Sequence, residues 1–378
     1  MSEGVSPEVD PLAILDDYDF DLPDASIAQD ALAERDAARL LLFDREQGQV
    51  AHADGDHRVR DLAQWLQPGD LLVVNATRVL SARLVGRKQS GGMAEALLLG
   101  ADPEDPSRYR ALIKCTGRVR EGLELVLGRG DGLPARVEAL HDRGEVSLRF
   151  APDVDPYSEG QAPLPPYIRR DGDGESDADL SRYQTVYARE PGAIAAPTAG
   201  LHFTPALFDA LAARGVERAE VVLHVGAGTF RPLDAEAMKT GLLHEEAYDL
   251  PRATVEAIEA TRARGGRVVA VGTTTARVLE SCVDDEGQLT PGTGVTRLFL
   301  HPGSKPFRVV DALLTNFHLP RSSLLLLVAA LIGRQPLLDA YHYAIAAGFR
   351  FYSYGDAMLI APGLSALSSD HTVAGDPS

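Results

Sequence analysis

The chain has 378 residues, 45% hydrophobic and 24% charged, which is enough for two domains and a sizeable core. Its net charge is −18, and its two cysteines, Cys115 and Cys282, show no metal-ligand spacing, so a disulfide framework is excluded and a reducing cytoplasm is expected. The N-terminus is acidic with no apolar signal core. The longest apolar run, Leu324 to Ile332, is far short of the roughly 20 residues of a membrane helix, so neither export nor a membrane span is expected.

Such acidity argues against a nucleic-acid partner for the chain as a whole. The charge is uneven, however: −11 over residues 1–67, +2 over 68–150 and −9 over the remainder. The middle segment holds Arg108, Arg110, Lys114, Arg118 and Arg120 close together. Charge alone leaves open whether they form a binding patch or a solvated strand surface.

In chain order, residues 1–17 read as a loose acidic extension, and Arg39–Phe43 with Gln49–His52 as a hairpin. A short helix near Asp61–Leu66 ends at Pro68-Gly69, a domain boundary. Seven short runs then follow with turn signals between them: Leu71–Asn75, Val79–Val85, Glu95–Leu99, Arg110–Lys114, Leu123–Leu127, Ala135–Leu140 and Val146–Phe150. They predict a small β-barrel or sandwich. Strands and helices flank this block on both sides, so residues 68–151 are expected to be a barrel inserted into an α/β domain made of 1–67 and 152–378. Residues 363–378 form a loose tail.

Past a Pro-rich stretch and the acidic residues 171–179, the loop Ala195–Gly200 leads into a punctuated helix. Thr204 is its N-cap, Pro205 its first residue and Gly215 its stop. Ala219–Val225 is the next strand and runs into Gly226, Ala227, Gly228 and Thr229. Ala253–Arg264 predicts a helix, Val268–Val271 a buried strand, Gly272 to Thr275 a tight loop, and Ala276–Cys282 the start of another helix. A strand, a Gly/Thr loop and a helix start can seat an anion or a ribose hydroxyl, although an ordinary helix cap has the same pattern. No GxGxxG and no Walker lysine occur, which excludes a dinucleotide fingerprint and a P-loop. Thr296–Leu300 and Arg308–Leu314 are further strands. Ser322 and Ser323 open an apolar helix, Leu337–Ala347 is a last helix, and Phe349–Tyr354 a final strand. Four polar loops thus follow strands: His224–Thr229, Gly272–Arg277, Asn316–His318 and Tyr354–Asp356. In α/β sheets ligands gather at the carboxyl ends of strands, so these loops predict one shared site.

Several segments carry a resemblance: PLPPYI at 163–168, YQTVYA at 183–188, AAPTAGLHFT at 195–204, HVGAGTFRP at 224–232, VGTTTARVLES at 271–281, TNFHLPRSS at 315–323 and FYSYGDAML at 351–359. In order and spacing they resemble the S-adenosylmethionine:tRNA ribosyltransferase-isomerase family, with YDFDLP near the start and DLLVVNATRVLSARL at 70–84 extending the likeness over residues 18–360. The chain departs from the family pattern at Ala31 or Leu32 (Pro), Ala38 (Ser) and Ala76 (Asp), and the Ala76 change removes a carboxylate.

The resemblance implies a layered α/β/α domain with an inserted small β-barrel, and a monomer. It implies transfer and isomerisation of the ribosyl part of S-adenosylmethionine onto 7-aminomethyl-7-deazaguanine in a tRNA anticodon. Adenine and methionine leave, and epoxyqueuosine-tRNA remains. S-adenosylmethionine is a co-substrate, and neither a prosthetic group nor a metal is implied. A sulfonium acidifies its neighbouring ribose C–H, so the chemistry requires a base of moderate pKa. The candidates are His202, His224 and His318, with Asp356 or Glu280 facing the cation or ribose. Thr198, Gly226, Gly228, Thr229, Thr273, Thr274, Arg277, Asn316 and Tyr167 are the candidate substrate contacts. Arg108, Arg110, Lys114, Arg118 and Arg120 are the candidate tRNA contacts. Two other readings compete. A noncatalytic tRNA-binding protein would not need the four polar loops, and a methyltransferase would need a glycine-rich first loop followed by an acidic strand end, which is absent.

Overall fold

The computed structural model describes residues 12–170, 177–226, 228 and 233–367. The expected N-terminal extension, most of the acidic 171–179 segment, Thr229 and the C-terminal tail therefore lie partly or wholly outside the described residues. The chain divides into two compact units, one of residues 1–76, 197–223 and 231–378, the other of 77–196 and 224–230.

The first unit is built on a nine-stranded mixed sheet. Its centre is four strands lying side by side in parallel: Glu217–Leu223, Leu71–Asn75, Val268–Val271 and Ala312–Asn316. Their sequences explain the position. LLVVN, VVAV and ALLTN are apolar without alternation and buried along their whole length, as strands covered on both faces must be. Ala357–Ala361 continues the sheet antiparallel to Ala312–Asn316, and Leu40–Asp44 joins Ala357–Ala361 in parallel. Gln49–Ala51 forms one edge. On the other side Leu242–Leu250 pairs antiparallel with Glu217–Leu223 and with Gly292–Leu298; of these strands Leu242–Leu250 was missed in the sequence, and the strand expected at Thr296–Leu300 runs from Gly292 to Leu298. Helices Arg252–Ala263 and Thr273–Ser281 pack on the central strands.

Leu71–Asn75 was expected in the barrel. It instead occupies the middle of the large sheet, because a five-residue run buried on both faces has no polar side to offer a small barrel. Phe349–Tyr354 is also not a strand: Phe351 makes one isolated bridge with Ile27, and the final strand starts at Ala357. Asp356 accepts hydrogen bonds from the backbone N–H groups of Arg39 and Arg350, 3.0 and 2.8 Å, which ties this segment into a turn. The helix beginning Pro205–Ala213 is capped as expected, with Thr204 Oγ1 accepting from Leu207 N at 3.1 Å. The apolar run near residue 324 is the buried helix Ser323–Ile332, capped by Ser322. Among the described residues no single helix is long and apolar enough to cross a membrane.

The second unit contains a closed six-stranded antiparallel barrel of Arg83–Lys88, Met93–Ala101, Arg108–Cys115, Glu124–Leu127, Leu133–Leu140 and Glu145–Arg149. Alternation decides its core: Leu84, Ala96, Leu98, Ala111, Leu125, Val137 and Leu148 point inward, while the charged residues between them face out. Thr77–Val79 and Glu190–Ala193 form a separate parallel pair in the same unit. Residues 152–196, expected with the α/β domain, group with the barrel instead.

Candidate functional site

The carboxyl ends of three central strands of the first unit carry a connected set of polar groups. Leu71–Asn75 ends in Asn75, which is fully buried. Its Oδ1 accepts from Leu223 N at 3.0 Å. Its Nδ2 donates to Leu223 O at 3.1 Å and to Thr274 Oγ1 at 3.3 Å. One amide thereby fastens two neighbouring strand ends and aims a hydroxyl of the next loop. Asn75 was not among the sequence candidates. The signal was present, since a buried run ending in asparagine is also the pattern of Ala312–Asn316, whose Asn316 was a candidate.

That loop is tighter than expected. Gly272 alone turns the chain, at φ +86°, and its N–H donates to Leu314 O at 2.8 Å. Thr273 and Thr274 already belong to the first turn of the helix Thr273–Ser281, with Thr273 buried and Thr274 half-buried. Ala199 packs against Gly272, with its Cβ 3.7 Å from where a Cβ on Gly272 would lie. The 3-10 turn Thr198–His202 therefore sits at this loop, and Thr198 at its start is half-buried.

His202 ends that turn, 4% exposed, with Nε2 buried and lacking a hydrogen-bond partner. Asn316 at the end of its strand donates from Nδ2 to Tyr352 O at 2.8 Å, and its buried Oδ1 also lacks a partner. Burial holds the His202 imidazole down to about 4, against the opposing pull of Asp356 and Asn316. At neutral pH this ring is uncharged. Asp356 is 1% exposed, and its oxygens are taken by the amides of Arg39 and Arg350 and by the Arg350 guanidinium at 3.4 Å. It acts on His202 through its charge, with three hydrogen bonds already on its two oxygens. It reaches the end of Ala312–Asn316 because the strand after it runs antiparallel, pairing Ala357 with Asn316.

Two candidates prove to be braces. His318 is buried, with its ring Nε2 2.8 Å from Thr315 Oγ1 and its backbone N–H donating to the Tyr341 hydroxyl at 3.0 Å. Burial lowers its pKa to about 3. Glu280 does not face a cation: its carboxylate accepts from Val309 N, Val310 N and Arg308 N at 2.9 to 3.0 Å, clamping the segment that enters Ala312–Asn316. It lies two turns into its helix, beyond the reach of the Gly272 turn. Arg277 donates to Leu298 O at 3.1 Å and to Glu246, and its Nη2 is buried without a partner. Burial pushes Glu246 up, but His244 and Arg277 outweigh it and bring the carboxyl to about 2.

The second unit holds the remaining candidates. His224 follows directly on Leu223 in the chain and is half-buried. Its Nδ1 lies 2.9 Å from Thr77 Oγ1. Its ring rests on Gly192, where an added Cβ would meet Nδ1 at 2.6 Å, so only glycine fits beneath it. Burial lowers the His224 pKa, with Glu190 pulling the other way. Gly226 and Gly228 are half-buried, Thr229 lies outside the described residues, and Tyr167 is half-buried in a turn closed by Ile168 N to Pro165 O.

The expected cationic patch divides in two. Arg108 is paired with Glu138 at 3.1 Å, Asp102 at 3.4 Å and Asp105 at 3.6 Å, and Arg110 with Glu145 at 2.8 Å. Those charges are spent within the barrel wall. Lys114, Arg118 and Arg120 are exposed. Ala76, where the family pattern has Asp, is fully buried and donates its N–H to Val221 O at 2.8 Å. Among the described residues no group of three or more His, Cys, Asp or Glu is arranged to hold a metal ion.

Comparison with known proteins agrees with this architecture. A family model described as Queuosine biosynthesis protein matches residues 15–360. The S-adenosylmethionine:tRNA ribosyltransferase-isomerase of Syntrophotalea carbinolica is 48% identical over 351 residues, 92% of this chain and 99% of its own. The protein of the same name from Acidithiobacillus ferrooxidans is 52% identical over 350 residues, 92% and 97% respectively. The crystal structure of S-adenosylmethionine tRNA ribosyltransferase from Thermotoga maritima matches with a TM-score of 0.50 and 35% identity, covering 91% of this chain and 99% of that one. The chain is a member of the queuosine biosynthesis protein family.

Proposed function

We propose that the chain is an S-adenosylmethionine:tRNA ribosyltransferase-isomerase. In this reading it transfers the ribosyl group of S-adenosylmethionine to 7-aminomethyl-7-deazaguanine in a tRNA anticodon, isomerises it to the epoxycyclopentanediol of epoxyqueuosine, and releases adenine and methionine. It works as a cytoplasmic monomer. The observation that carries the reading is the likeness, nearly end to end, to proteins of that name at 48% and 52% identity.

The first unit's strand ends suit a ribose. Thr274 Oγ1 accepts from Asn75, so its own proton is left to donate outward to a ligand oxygen. The buried Nε2 of His202 and Oδ1 of Asn316 are polar atoms that a hydroxyl, able both to give and to accept, would satisfy together. In the second unit, the candidate proton acceptor is His224. It is the half-buried histidine of the three, and burial, by lowering its pKa, leaves the ring neutral near pH 7, the form able to take a proton. Asp356, with its oxygens already engaged, sets the field around His202 and does not take part as a nucleophile.

The test is adenine release from S-adenosylmethionine, measured with and without tRNA carrying the precursor base. Release dependent on that tRNA supports the proposal. Tight tRNA binding with no adenine released would identify a noncatalytic binder, and methyl transfer without adenine loss a methyltransferase.

A further inference from the structure

We infer that one rim of the barrel, formed by Lys88, Lys114, Arg118 and Arg120, is the surface that meets the phosphate backbone of the RNA substrate. This rests on the functional reading above and supplies its RNA-facing side. Lys88 and Lys114 lie near the ends of the strands Arg83–Lys88 and Arg108–Cys115, and Arg118 and Arg120 in the loop that follows the second. Lys88 ends the strand Arg83–Lys88, and its Nζ donates to Thr116 O in the loop after Arg108–Cys115. Thr116 N in turn donates to Met93 O at 3.1 Å, and a Cβ on Gly117 would lie 3.7 Å from Lys88 Nζ.

The loop bearing Arg118 and Arg120 is held at its far end as well. Leu123 N donates to Arg120 O at 3.2 Å, and Gly122 N to Val137 O at 2.8 Å. Gly117 and Gly122 have φ of +80° and +74°, the left-handed turns that let so short a loop fold back on the barrel. Such a platform has already lost much of the backbone freedom that RNA binding would otherwise have to remove.

Charge separates this rim from the rest of the wall. Arg108, Arg110 and Arg149 are neutralised by Asp102, Asp105, Glu138 and Glu145. Among the described residues, Lys114, Arg118 and Arg120 are exposed and form no ion pair, and Lys88 spends one N–H on a neutral carbonyl. Glu121 in the loop, Glu124 at the start of the next strand and Glu95 opposite Lys114 are the acids nearby, and Glu95 is already paired with Arg83 at 3.1 Å, so a cationic excess remains there in a chain of net charge −18. The nearby cleft of about 620 Å³ has a mixed lining, with Arg87 and Arg129 facing Asp131 and Glu159, and suits a polyanion less well. At roughly 0.15 M salt the screening length is about 8 Å, so a local excess acts at contact although the whole molecule is acidic.

The experiment uses the full chain and an unmodified tRNA transcript, with affinity measured from about 50 to about 200 mM salt. Four phosphate contacts predict a slope of about 3 in log affinity against log salt, at roughly 0.7 to 0.9 per contact. Arg118→Glu with Arg120→Glu should cut that slope by about half and weaken tRNA binding at least about tenfold. S-adenosylmethionine binding and the melting temperature should not change. Arg108→Gln should leave the slope as it is. The rim is refuted if the double variant keeps the wild-type slope and affinity, or if Arg108→Gln lowers the slope as much. If that happens while tRNA-dependent adenine release persists in the wild type, only the rim fails. A wild-type chain that neither binds tRNA nor releases adenine overturns both.

Discussion

Replacing Asn75 separates a buried amide's structural contribution from its effect on the ligand. Asn75→Ala leaves the N–H and C=O of Leu223, itself fully buried, without partners. Each orphaned group costs about 1 to 2 kcal/mol, so the variant should lose about 3 kcal/mol. The single tryptophan, Trp65, is buried in the same unit, so its fluorescence during urea unfolding reports that unit. The midpoint should fall with the slope unchanged, and the KM for S-adenosylmethionine should rise as Thr274 loses its donor. Asn75→Asp keeps the shape but not the donors. Its carboxylate can accept from Leu223 N, yet it places an acceptor against Leu223 O. Burial raises the carboxyl's pKa in the folded state above the unfolded value of about 3.9. Stability linked to it is therefore full below that value and lost as pH rises through the raised pKa. A wild-type midpoint in the alanine variant, or an aspartate variant no less stable at pH 7 than at pH 4.5 relative to wild type, would refute the reasoning.

Other expectations follow from the same geometry. His202 and His318 are held neutral at about 4 and about 3, below the ordinary 6.5, so the unfolded chain binds more protons in that interval. Their stabilisation is present above pH 6.5 and lost as pH falls towards those values, and His318→Gln should flatten the acid limb of a melting-temperature profile. His224→Ala should lower turnover by about two to four orders of magnitude with folding intact, and a variant at wild-type rate removes it as the base. Thr274→Val should raise the KM for S-adenosylmethionine about tenfold while leaving tRNA affinity alone. Equal loss of both affinities would put the loop elsewhere. Glu280→Gln, which turns an amide N–H₂ towards three backbone donors, should cost about 1 to 3 kcal/mol without slowing the enzyme that remains folded.

Local chemistry made much of this legible in the sequence. Thr204 before Pro205 fixed a helix start to the residue, and the barrel showed in the alternation around Leu84, Leu98 and Val137. Reading failed where the deciding partner is distant. Leu71–Asn75 reads like any short apolar strand, and only Glu217–Leu223 and Val268–Val271 show that both its faces and both its edges are covered. Arg110 resembled a free cation because Glu145, which neutralises it, stands thirty-five residues away. Glu280 looked available until Arg308 to Val310 filled it. The histidines were visible, but their difference was not, since burial and bracing separate His318 from His224.

The pairing of the large sheet also dictates an order of events on the ribosome. Leu71–Asn75 leaves the exit tunnel long before Glu217–Leu223 and Val268–Val271, its two neighbours. At about 5 to 20 residues per second the wait for the nearer one is roughly 7 to 30 seconds. Leu40–Asp44 waits longer still for Ala357–Ala361, until synthesis is almost complete. All six strands of the barrel emerge within this interval, so it can close while its host is still a set of open apolar edges. Such edges are templates for wrong pairing, which makes residues 40–44 and 71–75 the segments where a nascent chain most needs chaperone cover.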